Sequence, residues 1–480
     1  MKHLHRIIFM NTLLGCATSL LPVLEHGDKT YLSLLQYDTR RCQEYGIWHT
    51  HTTTDIGNPL GLSSQVTPFF STAVRTSQIA EHFTLKETET IAIASDRFNQ
   101  KSDSVLPYHA IVHNPSPDAV EKSATLSLTP TYTTVGSSLS IFYDATHLAP
   151  GFSFYCQVPV YYVTAHMAQA GGNTPITNYF NGTYEQTNPV QAPLEYGILG
   201  RHRYTVCGPL TVSMKYNLIE NEQNYITTYI GGGFALHKQP LQKYLFDFHS
   251  SVYSHHKLIC GFEAGATLTH DEDFTIELLA QTHYHYFFAG QEYRILGLLD
   301  DDGSIPVHAS YLLGAEALKK GVFPLANVLH RPVKRAGMHQ LDIACIGALT
   351  YQNWTINLGY GIIGREQETI TVEEWPHNQY AIVSPTYNTA AIFDNTTAST
   401  GEFEEHDLLL SHRFLTTDMI NTTVAANPAQ ITLSVSTDIG CTLEVGGYPL
   451  GLGAGFSYEH GVTNASPSLI TGWFKTFISF

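Results

Sequence analysis

The chain alternates apolar and polar side chains over most of its length. Because successive residues of a β-strand point to opposite faces of a sheet, each alternating run predicts a strand with one apolar and one polar face. In the clearest run, 429–445, Ile431 and Leu433 lie on one face and Thr432 and Ser434 on the other. Similar runs occupy 125–134, 138–147, 152–166, 195–207, 210–218, 223–236, 257–269, 274–288, 340–350, 354–362, 450–459 and 468–480, with weaker ones at 62–74, 85–95 and 404–416.

These runs predict long strands. We expect roughly 12 to 16 of them, with about 14 as the central value, and many exceed the usual length of about 5 to 6 residues in soluble proteins. A strand that crosses a bilayer needs about 9 to 11 residues. The polar faces carry mainly Thr, Ser, Gly and Asn rather than the Lys, Glu and Arg usual on a sheet that faces water. The pattern favours an all-β fold, a transmembrane antiparallel β-barrel with long extracellular loops. A water-soluble antiparallel sheet with its apolar face in a core is the alternative.

Composition excludes some function classes. The 480 residues carry 42 acids and 25 bases, a formal net charge of −17, and only 14% of positions are charged. A nucleic-acid partner needs clustered Lys and Arg, and no basic run appears in the sequence, so we expect none. Beyond the first residues, no apolar run reaches the length of about 18 residues that a membrane-spanning helix needs.

The N-terminus has the features of an export signal. Lys2 and Arg6 precede a short apolar stretch, and small residues follow as far as Ala17, which predicts a signal peptide at 1–17. The stretch that ends at Cys16 also resembles a bacterial lipobox, in which this cysteine would be acylated. Both readings remain open.

The last residues of the chain suggest a family resemblance. Phe474, Ile478 and the terminal Phe480 alternate along the final strand. This resembles the closing strand of bacterial outer-membrane β-barrel proteins, whose terminal aromatic residue is read by the assembly machinery. The resemblance covers most of 125–480 and implies a bacterial outer-membrane location, with these three residues as the assembly signal. It reaches no subfamily, so no functional residues are carried over.

Aromatic residues near strand ends are expected to form the interfacial girdles of such a barrel, with ordinary packing as the alternative. The residues considered are Tyr284, Tyr286, Trp354 and Trp473.

The chain divides into three expected segments: the signal peptide, an N-terminal segment 18–124 and the barrel 125–480. The N-terminal segment is expected to supply early strands, to occupy the lumen or to form a small periplasmic piece. The longer connections are 167–194, 238–255, 289–335 and 364–403.

The connection 289–335 contains one predicted helix. Residues 309–320 place several leucines and alanines at helical spacing, and we expect this helix to fold into the lumen as a constriction or to form an external cap. The acidic run Asp300 to Asp302 fails the spacing of a calcium-binding EF-hand and predicts a solvated turn.

The polar faces predict the lining of the lumen. Acids outnumber bases there, which favours a weak preference for cations. His283 and His285 share one face, and we expect hydrogen-bonded or pH-responsive wall residues rather than a metal site. The lining candidates are Asp144, Glu263, Glu277, Asp342, Asp438, Glu444, Glu459, His283, His285, Lys215, Lys257 and Lys475.

Catalytic and cofactor signals are absent from the sequence. No GxSxG, HExxH, P-loop or CxxC pattern occurs, so we expect no enzyme activity, cofactor or metal. Four cysteines fall on the apolar faces of predicted strands, where a free thiol behaves as a small hydrophobe. They are Cys156, Cys260, Cys345 and Cys441.

The sequence predicts a porin-like passive channel for small solutes. Its expected partners are outer-membrane lipid, the assembly machinery and the solutes. A structural or adhesive surface barrel with a plugged lumen is the leading alternative, and a barrel hydrolase is a third.

A closed barrel resists detergent until it is heated, so the unheated protein should migrate differently from the boiled protein on a detergent gel. A single position that is independent of heating, from a chain that is also monomeric in water without detergent, would contradict the transmembrane barrel.

Overall fold

The fold was analysed in a computed structural model. The structure describes residues 62–75, 88–92, 104–105, 123–170, 177, 180–181, 192–221, 224–236, 244–245, 255–270, 274–299, 306–307, 313–316, 323–377, 379–382, 414–423, 425–427, 429–462 and 468–480. The expected signal peptide, Cys16, Asp300 to Asp302 and most of the weak run 404–416 lie outside these residues.

Strands dominate the described residues. The strands are β1 (Leu62–Arg75), β2 (Thr88–Ala92), β3 (Ser104–Val105), β4 (Ser123–Asp144), β5 (Phe152–Ala170), β6 (Arg201–Cys207), β7 (Leu210–Asn221), β8 (Asn224–Phe234), β9 (Lys257–His270), β10 (Phe274–Phe287), β11 (Gly290–Ile295), β12 (Gly297–Leu299), β13 (Pro306–Val307), β14 (Leu313–Glu316), β15 (Phe323–Pro324), β16 (His330–Arg335), β17 (Met338–Tyr351), β18 (Trp354–Arg365), β19 (Ile370–Val372), β20 (Tyr380–Ile382), β21 (Ile420–Asn421), β22 (Gln430–Val445), β23 (Tyr448–Gly461) and β24 (Ser468–Ser479). A one-turn helix α1 spans Ala326–Leu329, and a 3₁₀ turn spans Thr417–Met419.

Twelve antiparallel strands close into a barrel. Their order around the ring is β1, β24, β23, β22, β18, β17, β10, β9, β8, β7, β5 and β4, and β4 returns to β1. The first and last strands pair from Ser63 with Ser479 to Arg75 with Ser468. The predicted β-barrel is therefore confirmed, but the central value of 14 strands is wrong. Two of the predicted runs form the single strand β4, and the predicted strands that contain β2 and β6 lie outside the ring.

The apolar faces of the barrel strands point outward. In β22, Val435 is 57% exposed, whereas its neighbours Ser434 and Ser436 are 1% and 3% exposed. This is the reverse of a soluble protein, in which the apolar faces are buried. The same pattern holds around the ring. The exposed large hydrophobic residues include Val66, Phe70, Leu139, Val160, Ile230, Phe262, Leu349, Leu358, Ile439 and Phe456. A bilayer is the solvent in which such an exterior is stable, because it removes the apolar surface from water.

The two ends of the barrel differ in their connections. At one end the strands are joined by 145–151, 222–223, 271–273, 352–353 and 446–447. The last of these is a two-residue hairpin in which Gly446 and Gly447 have φ angles of 63° and 84°, a backbone conformation that glycine adopts without strain. The other end carries the long connections 76–122, 171–200, 235–256, 288–337 and 366–429.

The barrel begins earlier than residue 125. β1 lies inside the expected N-terminal segment 18–124, and its pairing with β24 closes the ring. Two predicted strands, 125–134 and 138–147, form the single strand β4 of 22 residues. The strand continues through Gly136, where a Cβ would collide with Phe69 and Tyr161 of the neighbouring strands.

Two ribbons extend the barrel beyond its rim at the long-connection end. In one, β4 and β5 run past the end of β1 and pair with β2 and β6. In the other, β11, β16 and β19 continue the pairing of β10, β17 and β18. Phe287 pairs with Met338, for example, and Gly290 then pairs with Arg335.

The second ribbon carries a small folded unit that we call the cap, made of the described parts of 288–337 and 366–429. Trp375 donates from its Nε1 to the carbonyl oxygen of Leu415 at 2.7 Å, which joins distant parts of one connection. The 192–197 segment is attached to the cap, since the Tyr196 hydroxyl donates to the carbonyl oxygen of Ala326 at 2.7 Å. The cap core consists of Leu296, Leu298, Leu325, Val328, Leu329, Val333, Ile370, Trp375, Leu415, Ile420, Ala425 and Ala426.

The predicted helix at 309–320 is wrong where the structure describes it. Leu313–Glu316 is the strand β14, which pairs with β15 and β20. Its side-chain spacing resembles that of a helix, but pairing with neighbouring strands determines its conformation. Among the described residues, no helix has the length and hydropathy to cross a membrane.

Lipid-facing positions can be tested with two exposed leucines. Leu358 lies on the outer face of β18 and is 64% exposed, and Leu148 lies in the short turn 145–151 and is 72% exposed. Because a cation on the lipid face must be desolvated, Leu358→Arg should lower the free energy of unfolding by about 2–4 kcal/mol, whereas Leu148→Arg should change it by about 0–1 kcal/mol. Urea unfolding in lipid vesicles measures both. Equal effects of the two substitutions would contradict the lipid-facing assignment of β18.

Candidate functional site: the barrel lumen

The structure turns most of the predicted lining residues inward. Asp342 is inward but half-buried, and so is Glu277 near the short-turn end. Asp144 and Glu444 lie at that end, where Asp144 accepts hydrogen bonds from Thr146 and Glu444 is exposed. The buried inward members are Glu263, His283, His285, Asp438, Glu459, Lys215, Lys257 and Lys475. Their part in selectivity stays a prediction.

One ion pair crosses a strand on the inner wall. The Lys215 ammonium on β7 lies 2.8 Å from a carboxylate oxygen of Glu263 on β9, passing 5.8 Å from the ring centre of Tyr229 on the intervening β8. Gln281 on β10 donates to the same oxygen at 3.3 Å. Both charged side chains are buried, so the pair is strongly held and locally neutral.

A second ion pair repeats this arrangement on the opposite part of the ring. Lys475 on β24 reaches Asp438 on β22 at 3.2 Å, and Asn357 on β18 donates to the same carboxylate oxygen at 2.8 Å. The lysine chain passes over Gly453 of β23, where a Cβ would collide with its methylenes. The missing side chain of Gly453 is therefore what allows the ammonium to reach a partner two strands away.

These pairs reduce the acid excess predicted from sequence. Lys215 and Lys475 each neutralise one inward carboxylate. Arg365, which the sequence reading did not include, is also inward and buried. Among the described inward groups, the acids and bases nearly balance.

The two histidines are part of the wall. Their rings stack with centres 6.2 Å apart. His283 Nδ1 is hydrogen-bonded to the Tyr229 hydroxyl, and His285 Nε2 lies 3.3 Å from Asp342. In the part of the chain that the structure describes, no three His, Cys, Asp or Glu side chains converge on a metal site.

Aromatic residues of the lumen were missed by the sequence reading. Trp473, expected in an interfacial girdle, is buried and points inward, while Trp354 is exposed beside a short turn. A glycine at the paired position of the neighbouring strand could have located these residues, because it leaves room for an aromatic ring to lie over the wall. A Cβ on Gly455 or Gly451 would collide with the ring of Trp473 or Phe477. The buried inward aromatics on the barrel strands are Phe69, Tyr132, Phe142, Tyr155, Tyr161, Tyr229, Phe287, Trp473 and Phe477.

A band of hydroxyl groups crosses five neighbouring strands at one register. Thr471 donates to Ser71 Oγ at 2.9 Å. No described residue hydrogen-bonds Ser457 Oγ, although its residue is 1% exposed. We call this set the hydroxyl band: Ser436, Ser457, Thr471, Ser71 and Thr134, all buried and paired in that order from β22 to β4.

Where the cap joins the barrel there is a buried ionic cluster. Glu292 on β11 accepts from Arg294 at 2.6 Å, lies 3.2 Å from Arg335 and is hydrogen-bonded to His255 at 2.8 Å. Arg294 also lies 3.3 Å from Glu368. The cluster joins the connections 235–256, 288–337 and 366–429.

Glu292 is held ionised. Burial opposes its charge, but Arg294, His255 and Arg335 outweigh this cost and keep the pKa of the carboxyl well below its ordinary value. The partners raise the pKa of Arg294 against the opposing effect of burial. Glu292 and Arg294 therefore remain charged and paired at neutral pH.

Comparisons with known proteins give no family. No family model matches the chain, and no curated protein matches it. Among solved structures, an outer membrane channel from Pseudomonas putida F1 has 9% identity and a TM-score of 0.39, covering 88% of this chain and 97% of its own. The transport unit of the autotransporter AIDA-I from Escherichia coli has 10% identity and a TM-score of 0.35, covering 91% and 99%. A FadL homologue from Pseudomonas aeruginosa has 8% identity and a TM-score of 0.26, covering 87% and 89%.

At these identities and TM-scores, the membrane class rests on the geometry of the chain itself. A closed antiparallel ring, an apolar exterior, a polar interior and short turns at one end are the features of outer-membrane barrels. The described chain is therefore a closed antiparallel β-barrel of the transmembrane type.

The ionic cluster generates a pH prediction. Because the folded pKa of Glu292 is depressed, its stabilising effect is fully present above the unfolded value of about 4.3 and is lost as pH falls toward the folded value. Hydrogen exchange of the cap amides, corrected for intrinsic rates, should show constant protection between about pH 5 and 8 and falling protection below about pH 4.

Glu292→Gln provides the control for this prediction. It should lower cap protection at neutral pH by about 3–5 kcal/mol, because it leaves buried arginines without their carboxylate. In this variant, the protection of the cap amides from hydrogen exchange should also fall less at acid pH, because glutamine does not titrate. An acid dependence identical to that of the unsubstituted protein would contradict the role given to Glu292.

Proposed function

We propose that the protein is a passive outer-membrane channel with a narrow, hydrated lumen that admits small solutes. The observation that carries this proposal is the hydroxyl band, in particular Ser457. A buried hydroxyl without a hydrogen bond is costly, so polar atoms of this kind are usually satisfied by water or a bound polar molecule. A polar path beside the wall supplies such a partner.

The wall chemistry supports a restrictive channel rather than a wide pore. Long inward side chains lie along the wall and do not project into the lumen. Lys475, for example, lies flat over Gly453 of the neighbouring strand. The aromatic rings of Trp473 and Phe477 lie over glycines in the same way. Side chains that lie along the wall occupy less of the lumen than side chains that project across it, which supports a path for small solutes.

The charges support weak ion selectivity. Lys215 and Lys475 are paired with carboxylates in the wall, so neither acts as an isolated charge. The preference for cations that we retain is therefore small and depends on unpaired acids near the short-turn end, such as the exposed Glu444.

A surface barrel is the second candidate, and the cap favours it. A folded unit with its own core and a buried ionic cluster is more rigid than ordinary long loops, and a rigid surface suits contact with an outside partner. In that case the lumen would carry no flow.

Ion flow across planar lipid bilayers distinguishes the two. The proposed channel should conduct, and Ser457→Phe should lower the single-channel conductance by about half or more, because a ring replaces a hydroxyl at the wall. Tyr458→Phe is the matched control, since the neighbouring residue points outward and its substitution should leave conductance unchanged.

The absence of conductance from correctly folded protein would overturn the channel and leave the surface barrel. Reversal potentials that favour chloride over potassium would contradict the cation preference alone.

A further inference from the structure

The outer side of the ribbon formed by β4, β5 and β6 changes character along its length. Val135 on β4 and Tyr162 on β5 pair with each other, point outward and are 49% and 43% exposed. Beyond them, toward the long-connection end, the outward positions of β4 become threonines from Thr133, and those of β5 become Thr164 and then His166. An apolar exterior that becomes polar at one register in neighbouring strands marks the edge of the lipid-facing band.

Basic side chains lie immediately past this edge. Arg203 pairs with Thr164, and Arg201 pairs with His166. Both arginines are exposed, and they occupy alternate positions of β6, so they share one face. We call this outward set the ribbon patch: Thr131, Thr133, Thr164, His166, Arg201 and Arg203.

The arginines of the ribbon patch have no carboxylate partner among the described residues. The outward neighbours of Arg201 and Arg203 on β5 are a histidine and a threonine. His166 pairs with Arg201 across the two strands, so the imidazole and the guanidinium lie side by side on this face. Concentrated positive charge is unusual in a chain with a net charge of −17.

An arginine at the membrane edge has a preferred anionic partner. Its planar guanidinium donates two parallel hydrogen bonds to phosphate oxygens, and neighbouring hydroxyls supply further donors. The apolar residues below the edge, such as Val135 and Tyr162, offer a surface for acyl chains. A molecule with phosphate above and acyl chains below matches both parts.

We propose that the ribbon patch binds the phosphate of a phosphorylated lipid headgroup in the leaflet at the long-connection end of the barrel. Arg201 and Arg203 hold the phosphate, and the hydroxyls of Thr133 and Thr164 donate to it. This site is on the outer wall, so it does not depend on whether the lumen conducts.

The test uses the full-length protein in nanodiscs that contain phosphorylated lipid A, with native mass spectrometry of the lipid retained after detergent extraction. The double substitution Arg201→Gln and Arg203→Gln should reduce retention about tenfold, because it removes both charge-assisted contacts. Lys334→Gln is the matched control, since Lys334 is an exposed base on the cap strand β16, and it should leave retention unchanged.

Two further arms identify the source of the phosphate. The unsubstituted protein should retain dephosphorylated lipid A only weakly. Its retention should be about equal to that of phosphorylated lipid A by the double variant. Inorganic phosphate at millimolar concentration should not displace the bound lipid, because it lacks acyl chains.

Unchanged retention in a double variant that still shows a folded barrel on a gel would overturn the proposal. Equal retention of the dephosphorylated lipid, or full displacement by inorganic phosphate, would do the same.

Discussion

The backbone in a lipid bilayer has no water with which to form hydrogen bonds, and this constraint governs the whole molecule. Every N–H and C=O group of a spanning strand must pair with a neighbouring strand, so the sheet can have no open edge. Here the constraint is met when β1 pairs with β24, two strands that lie at opposite ends of the described chain. The closing contact extends to the chain end, where the Phe480 N–H donates to the carbonyl oxygen of Leu62 at 2.8 Å.

Closure also decides what the interior must contain. Because the exterior meets lipid, polar and charged side chains are confined inside, where each needs a partner. The barrel supplies partners across its curvature, from Lys215 to Glu263 and from Lys475 to Asp438. Glycine at Gly453 and Gly455 makes room for long or aromatic neighbours to lie along the wall. The inner surface is thus an ordered layer of paired groups rather than a row of independent charges.

The long connections follow a different physical rule. Their described parts extend beyond the barrel rim, and the cap forms there as a soluble unit would, around apolar residues such as Leu329 and Trp375. The ionic cluster at Glu292 fixes that unit to the barrel rim. The ribbon patch lies at the border between the lipid and the water. There the outward face of β5 changes from Tyr162 to Thr164, which pairs with Arg203 of β6. Its chemistry reflects that border, since it combines apolar contact with cationic groups.

The sequence by itself determined the strand faces, since alternation is a local property with a period of two residues. Ile431 and Leu433 were placed outward and Ser434 inward in this way, and the inward position of Glu263 and Asp438 follows from the same rule. Which residues meet across strands was decided only by the tertiary structure. The pairing of Lys475 with Asp438, the inward position of Trp473 over Gly455, the strand conformation of Leu313–Glu316 and the count of twelve barrel strands all depend on register and closure. These are relations between segments far apart in the chain, and local periodicity contains no information about which segments become neighbours.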